Sequence, residues 1–337
     1  MKKIFFLSVI MACAACNEFA HEYVENAEEG ASGGRLRVTV EQASDLTKAQ
    51  ADYTTVLDVE KAVKKVTVLV FDKATGVLNA SKELGSLTEE CEFTITTGEK
   101  TVYAVVNYSD LGSVTTIGQL EQKLDDLSAT DVNTDGFVMV GSQDCTVRTG
   151  TPAEPVITVK RLVARVVLQK ITNRLPAQYG SMAINCVYLG NANTVQSFSG
   201  EVSSMLNPGG YADAAKTKPI GKGGVLGSCP GYLFKVPGAN VASGTTSSAR
   251  HYMYCQPNSD EEDFTCLYIL ATIGGVQYYY RVPLNLGLAA NTTCSVEVEI
   301  VNLGALLPPD GDMQKGEIKA TINVSGWDTG EKYEIQF

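Results

Sequence analysis

Histidine is almost absent from this chain. Two in 337 residues, His21 and His251, leave almost no scope for a histidine-centred triad and none for a His-rich zinc site. Basic residues are outnumbered, 27 Lys and Arg against 38 Asp and Glu, and the net charge of -11 argues against a phosphate-binding surface and so against nucleic acid. After the first sixteen residues no apolar run reaches about 18 residues, so no second membrane segment is expected. Beyond Cys16 stand Cys91, Cys145, Cys186, Cys229, Cys255, Cys266 and Cys294, with no C-x-x-C pair among them. Their odd number leaves at least one thiol unpaired. Cys186 in INCVYL and Cys266 in FTCLYIL read as small buried hydrophobes.

Strings that would carry chemistry fail in their context. Gly30-x-Ser32-x-Gly34 has nucleophile-elbow spacing but lies in a polar stretch, without the strand before and the helix after. Asp131-x-Asn133-x-Asp135-Gly136 opens like a calcium loop, yet its twelfth position is Ser142 and not the bidentate Glu, so an Asx-type turn is predicted. Glu261-Glu262-Asp263 reads as a solvated turn, and His251 as an ordinary surface-loop residue. The run Tyr278-Tyr279-Tyr280 alternates faces of a strand, which suits packing before sugar stacking. No enzyme activity, cofactor or metal site is expected.

What the chain does have begins at its start. MKKIFFLSVIMACAAC opens with two lysines, continues apolar and closes on small residues and a cysteine. It is too short to span a bilayer and resembles a bacterial lipoprotein signal. Residues 1–15 then form the signal peptide, and Cys16 becomes the acylated, palmitate-bearing N-terminus, with Cys13 the competing acceptor. Residues 16–34 are polar and acidic and end in glycine, which predicts a flexible linker from lipid to body.

The body reads as β structure. In RLRVTVEQ, Leu36, Val38 and Val40 point one way and Arg35, Arg37, Thr39 and Glu41 the other. Similar runs are KKVTVLVFD, CEFTITTG, TGEKTVYAVVNYSD, FVMVG, DCTVRTG, SMAINCVYLGN and TTCSVEVEIVNLG. VITVKRLVARVVLQKIT is predicted to be one long strand with a single buried face. FTCLYILATI and VQYYYRVPLNL are predicted to pair as a hairpin across Gly274-Gly275. The tail GEIKATINVSGWDTGEKYEIQF holds two more strands. Only TIGQLEQKLDDLSA looks helical, with Ile117, Leu120, Leu124 and Leu127 on one face. The expected fold is therefore all-β: two antiparallel β-sandwiches with one minor helix, divided at the Pro-containing TGTPAEP into residues 35–155 and 156–337.

Three stretches, in this order, resemble the fimbrillin family, the major fimbrial subunits (type V pilins) of Bacteroidota. They are KKVTVLVFDKATG with TGEKTVYAVVNYSD, then GFVMVG with VKRLVARVVLQKI, and then LGLAANTTCSVEVEIVNLG with GEIKATINVSGWDTG, including Asn291 and Trp327. The resemblance implies transthyretin-like sandwich topology, export as a lipoprotein to the outer membrane, and surface fimbriae used in adhesion. It also implies a processing step. A trypsin-like protease cuts behind the first strand, here at Lys48–Ala49 in an exposed loop, with Lys where the family's best-known site has Arg. The displaced strand would carry Leu36, Val38 and Val40. The donor strand of another subunit would present Ile318, Ala320, Ile322 and Val324, with Tyr333, Ile335 and Phe337 as an alternative or additional donor. The implied partners are further copies of the chain, other fimbrial subunits, the protease and outer-membrane lipid. The competing readings are a lipid-anchored surface module for glycans or host proteins, and an anchor or tip subunit of a fimbrium.

Overall fold

Alternating apolar residues dictate the first strand, β1 (Gly34–Gln42), whose side chains are buried and exposed in turn along nearly its whole length. The structure is a computed structural model that describes residues 33–43, 57–127, 135–206, 232–262, 264–285, 288–306, 318–327 and 333–336. After β1 come β2 (Val66–Asp72), β3 (Leu78–Leu84), β4 (Cys91–Ile95), β5 (Gly98–Val106), β6 (Leu124–Asp126), β7 (Met139–Val147) and β8 (Val156–Arg161). Two short helices, α1 (Asp58–Lys61) and α2 (Ile117–Glu121), lie among them.

These strands, β6 apart, form one sheet in the order β3-β2-β5-β7-β8-β1-β4. The sheet folds over at its middle, where β7 and β8 pair only through Met139–Arg161 and Val140–Lys160. A Cβ on Gly141 would collide with the Thr158 carbonyl, so the close approach of β7 to β8 requires glycine. Leu36, Val38 and Val40 share a single core with Val68, Val102 and Met139 across the fold. That makes the first half a sandwich.

The second half comprises β9 (Ala164–Asn173), β10 (Met182–Gly190), β11 (Ala192–Ser197), β12 (Val202–Leu206), β13 (Phe234–Lys235), β14 (Asn240–Val241), β15 (Thr246–Ser247), β16 (His251–Cys255), β17 (Cys266–Ile273), β18 (Val276–Pro283), β19 (Thr292–Ile300), β20 (Ile318–Gly326) and β21 (Tyr333–Gln336). One sheet runs β13-β10-β17-β18, with β14 also on β10; the other runs β15-β9-β19-β20-β21, with β16 also on β9. Val166, Leu168, Ile184, Ile269, Val296 and Ile322 fill the core that both sheets share. The β17–β18 hairpin turns at Gly274 and Gly275, both at positive φ (58° and 82°), as the Gly-Gly pair predicts.

Several details depart from the sequence reading. VITVKRLVARVVLQKIT is two strands. A bend at Leu162-Val163 leaves β8 with the first sheet and sends β9 to the second. Residues 156–161, expected to open the second half, therefore close the first, because Ile157 and Val159 enter the first core. In β9 both faces are covered, including Arg165 and Val167, and on the face away from the core Arg165 is buried against Glu60 and Trp327. Two ladders, β1–β8 and β9–β19, run parallel, and the other described ladders are antiparallel. The predicted long helix stops at Glu121, and Leu124 instead begins β6, where it is exposed. The main chain of β6 is recruited by β11, pairing Asp125 with Gln196. The resulting sheet β12-β11-β6 stitches the two halves together. His251 opens β16 and is half-buried; burial, then Lys235, holds its imidazole below the usual range. Cys91, Cys145, Cys255 and Cys294 are free thiols, and burial pushes those of Cys255 and Cys294 up to about 12.

Candidate functional site

The segment carrying Leu36, Val38 and Val40 does not lie at the rim of its sheet. It sits between β8 and β4. Against β8 and the residues just before it the pairing is parallel, with Arg37 N donating to Ala153 O at 2.9 Å and Thr39 N to Pro155 O at 3.1 Å. On the other side an antiparallel ladder with β4 runs from Gly34–Ile95 to Val38–Cys91 and then stops. Beyond it the edge of Thr39–Gln42 has no partner strand among the described residues and faces a cleft of about 460 Å³, lined by Val38, Val40, Leu87, Thr88, Glu90 and Cys91. An open strand edge over apolar side chains is a template for a further strand.

Leu36, Val38 and Val40 are 1%, 4% and 4% exposed, and each contributes roughly 1.5–3 kcal/mol by burial. Outside, Arg37 Nε donates to Glu92 at 2.6 Å, and Thr158 donates to Glu41 at 3.0 Å, both exposed and of small worth. Withdrawing β1 would leave the facing edges of β8 and β4 unsatisfied above an apolar trough. A second strand of the same period could meet both needs.

The residues expected to donate lie in a different sheet. Strand β20 pairs with β19 over its full length, from Thr292–Gly326 to Ile300–Ile318. Ala320 and Ile322 enter the C-terminal core, while Ile318 and Val324 are half-buried against it. Strand β21 lies outside β20 and pairs Val324 with Tyr333 and Thr321 with Gln336. The expected alternation of β20 is thus present, turned toward its own sandwich. The structure does not bring the β1 and β20 residues together. Lys48, Ala49, Cys16, Cys13 and Phe337 lie outside the described residues.

A cluster that the residue-by-residue reading missed joins the halves just beyond β20. Glu60 in α1 and Arg165 in β9, both 0% exposed, pair at 2.8 Å. The same Glu60 Oε2 accepts the Leu57 N–H at 2.7 Å, its Oε1 accepts the Tyr254 hydroxyl at 2.7 Å, and its carbonyl accepts Arg161 Nε at 3.0 Å. Burial, then the Glu60 charge, drives the Tyr254 hydroxyl well above the usual phenol range. Trp327, immediately after β20, is 1% exposed. Arg161 and Arg165 lie over its indole at 4.9 and 4.7 Å from the ring centre. Tyr254 stacks beside it at 6.1 Å, and Phe137 meets it edge-on at 6.1 Å. Trp327 N donates to Asn291 O at 2.7 Å, and Asn291 Oδ1 accepts from Arg161. One signal was available: Arg165 interrupts an apolar strand, and a buried cation demands a partner.

Residues 35–156 match the family described as major fimbrial subunit protein (FimA), so the fimbrillin resemblance is borne out over that stretch. No curated protein matches the chain. Among solved structures, a candidate cell-adhesion protein from Parabacteroides distasonis is 15% identical, with a TM-score of 0.62 over 90% of this chain and 99% of its own. A fimbrilin (FimA) from Porphyromonas gingivalis is 14% identical, with a TM-score of 0.59 over 87% of this chain and 97% of its own. A fimbrial assembly protein from Parabacteroides distasonis is 13% identical, with a TM-score of 0.54 over 90% and 99%. At such identities the likeness is one of fold.

Proposed function

We propose that this chain, which matches the major fimbrial subunit family over residues 35–156, is a structural pilin of a cell-surface fimbrium, built to be handed from one subunit to the next by strand exchange. The family match supports a fimbrial, non-enzymatic role and association with other subunits. The finer steps are our reading. The chain is exported as a lipoprotein acylated at Cys16, and a trypsin-like protease cuts Lys48–Ala49. Strand β1 then leaves, and the β20–β21 ribbon of another copy enters the trough. We place the division between the sandwiches at Leu162-Val163, where the chain passes from one core to the other.

The observation that carries this reading is the bed of β1. It is a strand held on one face by three aliphatics, flanked by two strands that its loss would expose, with half of one edge already open. The period-two face of β20, with Ile318, Ala320, Ile322 and Val324, matches the spacing that this bed requires. Backbone pairing would supply affinity, and the buried pockets would fix register.

Electron microscopy of the full chain treated with trypsin tests the proposal. Filaments are expected from the wild type after cleavage. They are not expected from Lys48→Ala or from a chain lacking residues 318–337. Filaments from the truncated chain would reject the donor assignment, and normal filaments from Lys48→Ala would reject the scissile bond.

A further inference from the structure

The Trp327 socket ties the end of the chain to a segment far from it in sequence. Among the described residues, three of the four ring and cation contacts of the indole are in turn held by Glu60: Arg165 by its carboxylate, Tyr254 by its carboxylate and Arg161 by its carbonyl. A cation over a ring attracts it only while fixed over the face, and a buried guanidinium that loses its carboxylate reorients toward other acceptors. The indole N–H, fully buried, meets no acceptor among the described residues. The indole is therefore held by ring contacts and the charges over it, with no side-chain hydrogen bond to break on leaving.

Elsewhere β20 has its ladder with β19 and two buried aliphatics of modest size, Ala320 and Ile322. Trp327 is the largest single buried group on the ribbon. The Glu60 carboxylate that organises its socket also holds the N–H of Leu57.

We infer that Glu60 latches the C-terminal ribbon through Trp327, so that loosening α1 loosens β20. The Leu57–Lys61 segment and the Ile318–Trp327 segment then share one local opening equilibrium, although no residue of α1 belongs to the sheet that contains β20. The tie stands on the socket alone. Its use, releasing the tail of a subunit whose N-terminal segment has been disturbed, rests on the strand-exchange reading.

Hydrogen–deuterium exchange on the full chain tests the latch in Glu60→Gln and Tyr254→Phe variants. Amides of residues 318–326 are expected to exchange at least about tenfold faster in Glu60→Gln, and faster by a smaller factor in Tyr254→Phe. Amides of β2 and β5 should stay at the wild-type rate, reporting an intact first sandwich. Acceleration confined to residues 57–61, with β20 unchanged, would overturn the latch. If Glu60→Gln fails to fold, unchanged β20 exchange in Tyr254→Phe overturns it instead. Microscopy of the same trypsin-treated samples separates the two ideas. Faster β20 exchange without filaments keeps the latch and rejects strand exchange; unchanged exchange with filaments does the reverse.

Discussion

Strands β1 and β20 are each nine residues long, and each turns alternate aliphatics into a sandwich core, but they are secured in different ways. Strand β1 is secured along its length. Leu36, Val38 and Val40 are equivalent steps on one face, no aromatic ends it, and half of one edge faces a cleft. Strand β20 has only two fully buried aliphatics and a complete ladder with β19, then ends in a socket built from residues 60, 161, 165 and 254. A strand held by a repeating pattern can be replaced by any strand that carries the pattern. A strand that ends in an aromatic plug keeps its identity until the plug is drawn. In the strand exchange we propose, the first is the part displaced and the second the part released.

Substitutions sharpen or break this contrast. Trp327→Ala should have the largest effect, about 3–5 kcal/mol in chemical denaturation, since a fully buried indole leaves a cavity and two buried guanidiniums without their ring. Leu36→Ala should cost less, about 2–3 kcal/mol, because a smaller side chain is removed and no buried charge loses a partner. A greater loss for Leu36→Ala than for Trp327→Ala would invert the comparison.

Between the two strands lies Asp125 in β6, on the sheet that stitches the halves together. Burial raises its carboxyl to about 6, against the opposing effect of the 2.7 Å hydrogen bond from Gln256. The folded form thus favours the protonated acid. Its stabilisation is present below about pH 4 and is lost as pH rises through about 6. Asp125→Asn should gain about 1–2 kcal/mol at pH 7 and flatten the pH dependence of the melting temperature between 4 and 7. A mutant curve parallel to the wild type would remove Asp125 as the cause. Smallest of all, Arg37→Gln on the exposed face of β1 should leave the melting temperature within experimental scatter, since its pairs with Glu92 and Glu154 are solvent-screened. A clear fall would mean that β1 is held by more than its inward face.

Much of the fold was legible because alternation is a local property. RLRVTVEQ, TGEKTVYAVVNYSD and IKATINVS each declare which side chains face inward, and the structure turns those faces to the cores. The pattern fails where it stays constant through a change of partner. VITVKR and ARVVLQ read as one strand although a bend divides them between sheets. It fails again where polar residues dominate, as in β3, LNASKEL, with its half-buried and exposed positions. The helical spacing of Ile117, Leu120, Leu124 and Leu127 extends past the true end of α2 because β11 captures the main chain at residue 124. The bed of β1 could be anticipated as one face of a strand. Its open edge could not, because that depends on where β4 stops.

The amino-acid order by itself determined that the body is all-β and which faces of β1 and β20 are buried, since both rest on spacing within a few residues. Only the tertiary structure decided that β1 lies between β8 and β4, that β1 pairs with β8 and β9 with β19 in parallel, and that Glu60, Arg165, Tyr254 and Trp327 meet. Those contacts join residues as far as 194 positions apart. They arise only when the whole chain closes, because a buried charge takes its partner from wherever packing delivers one.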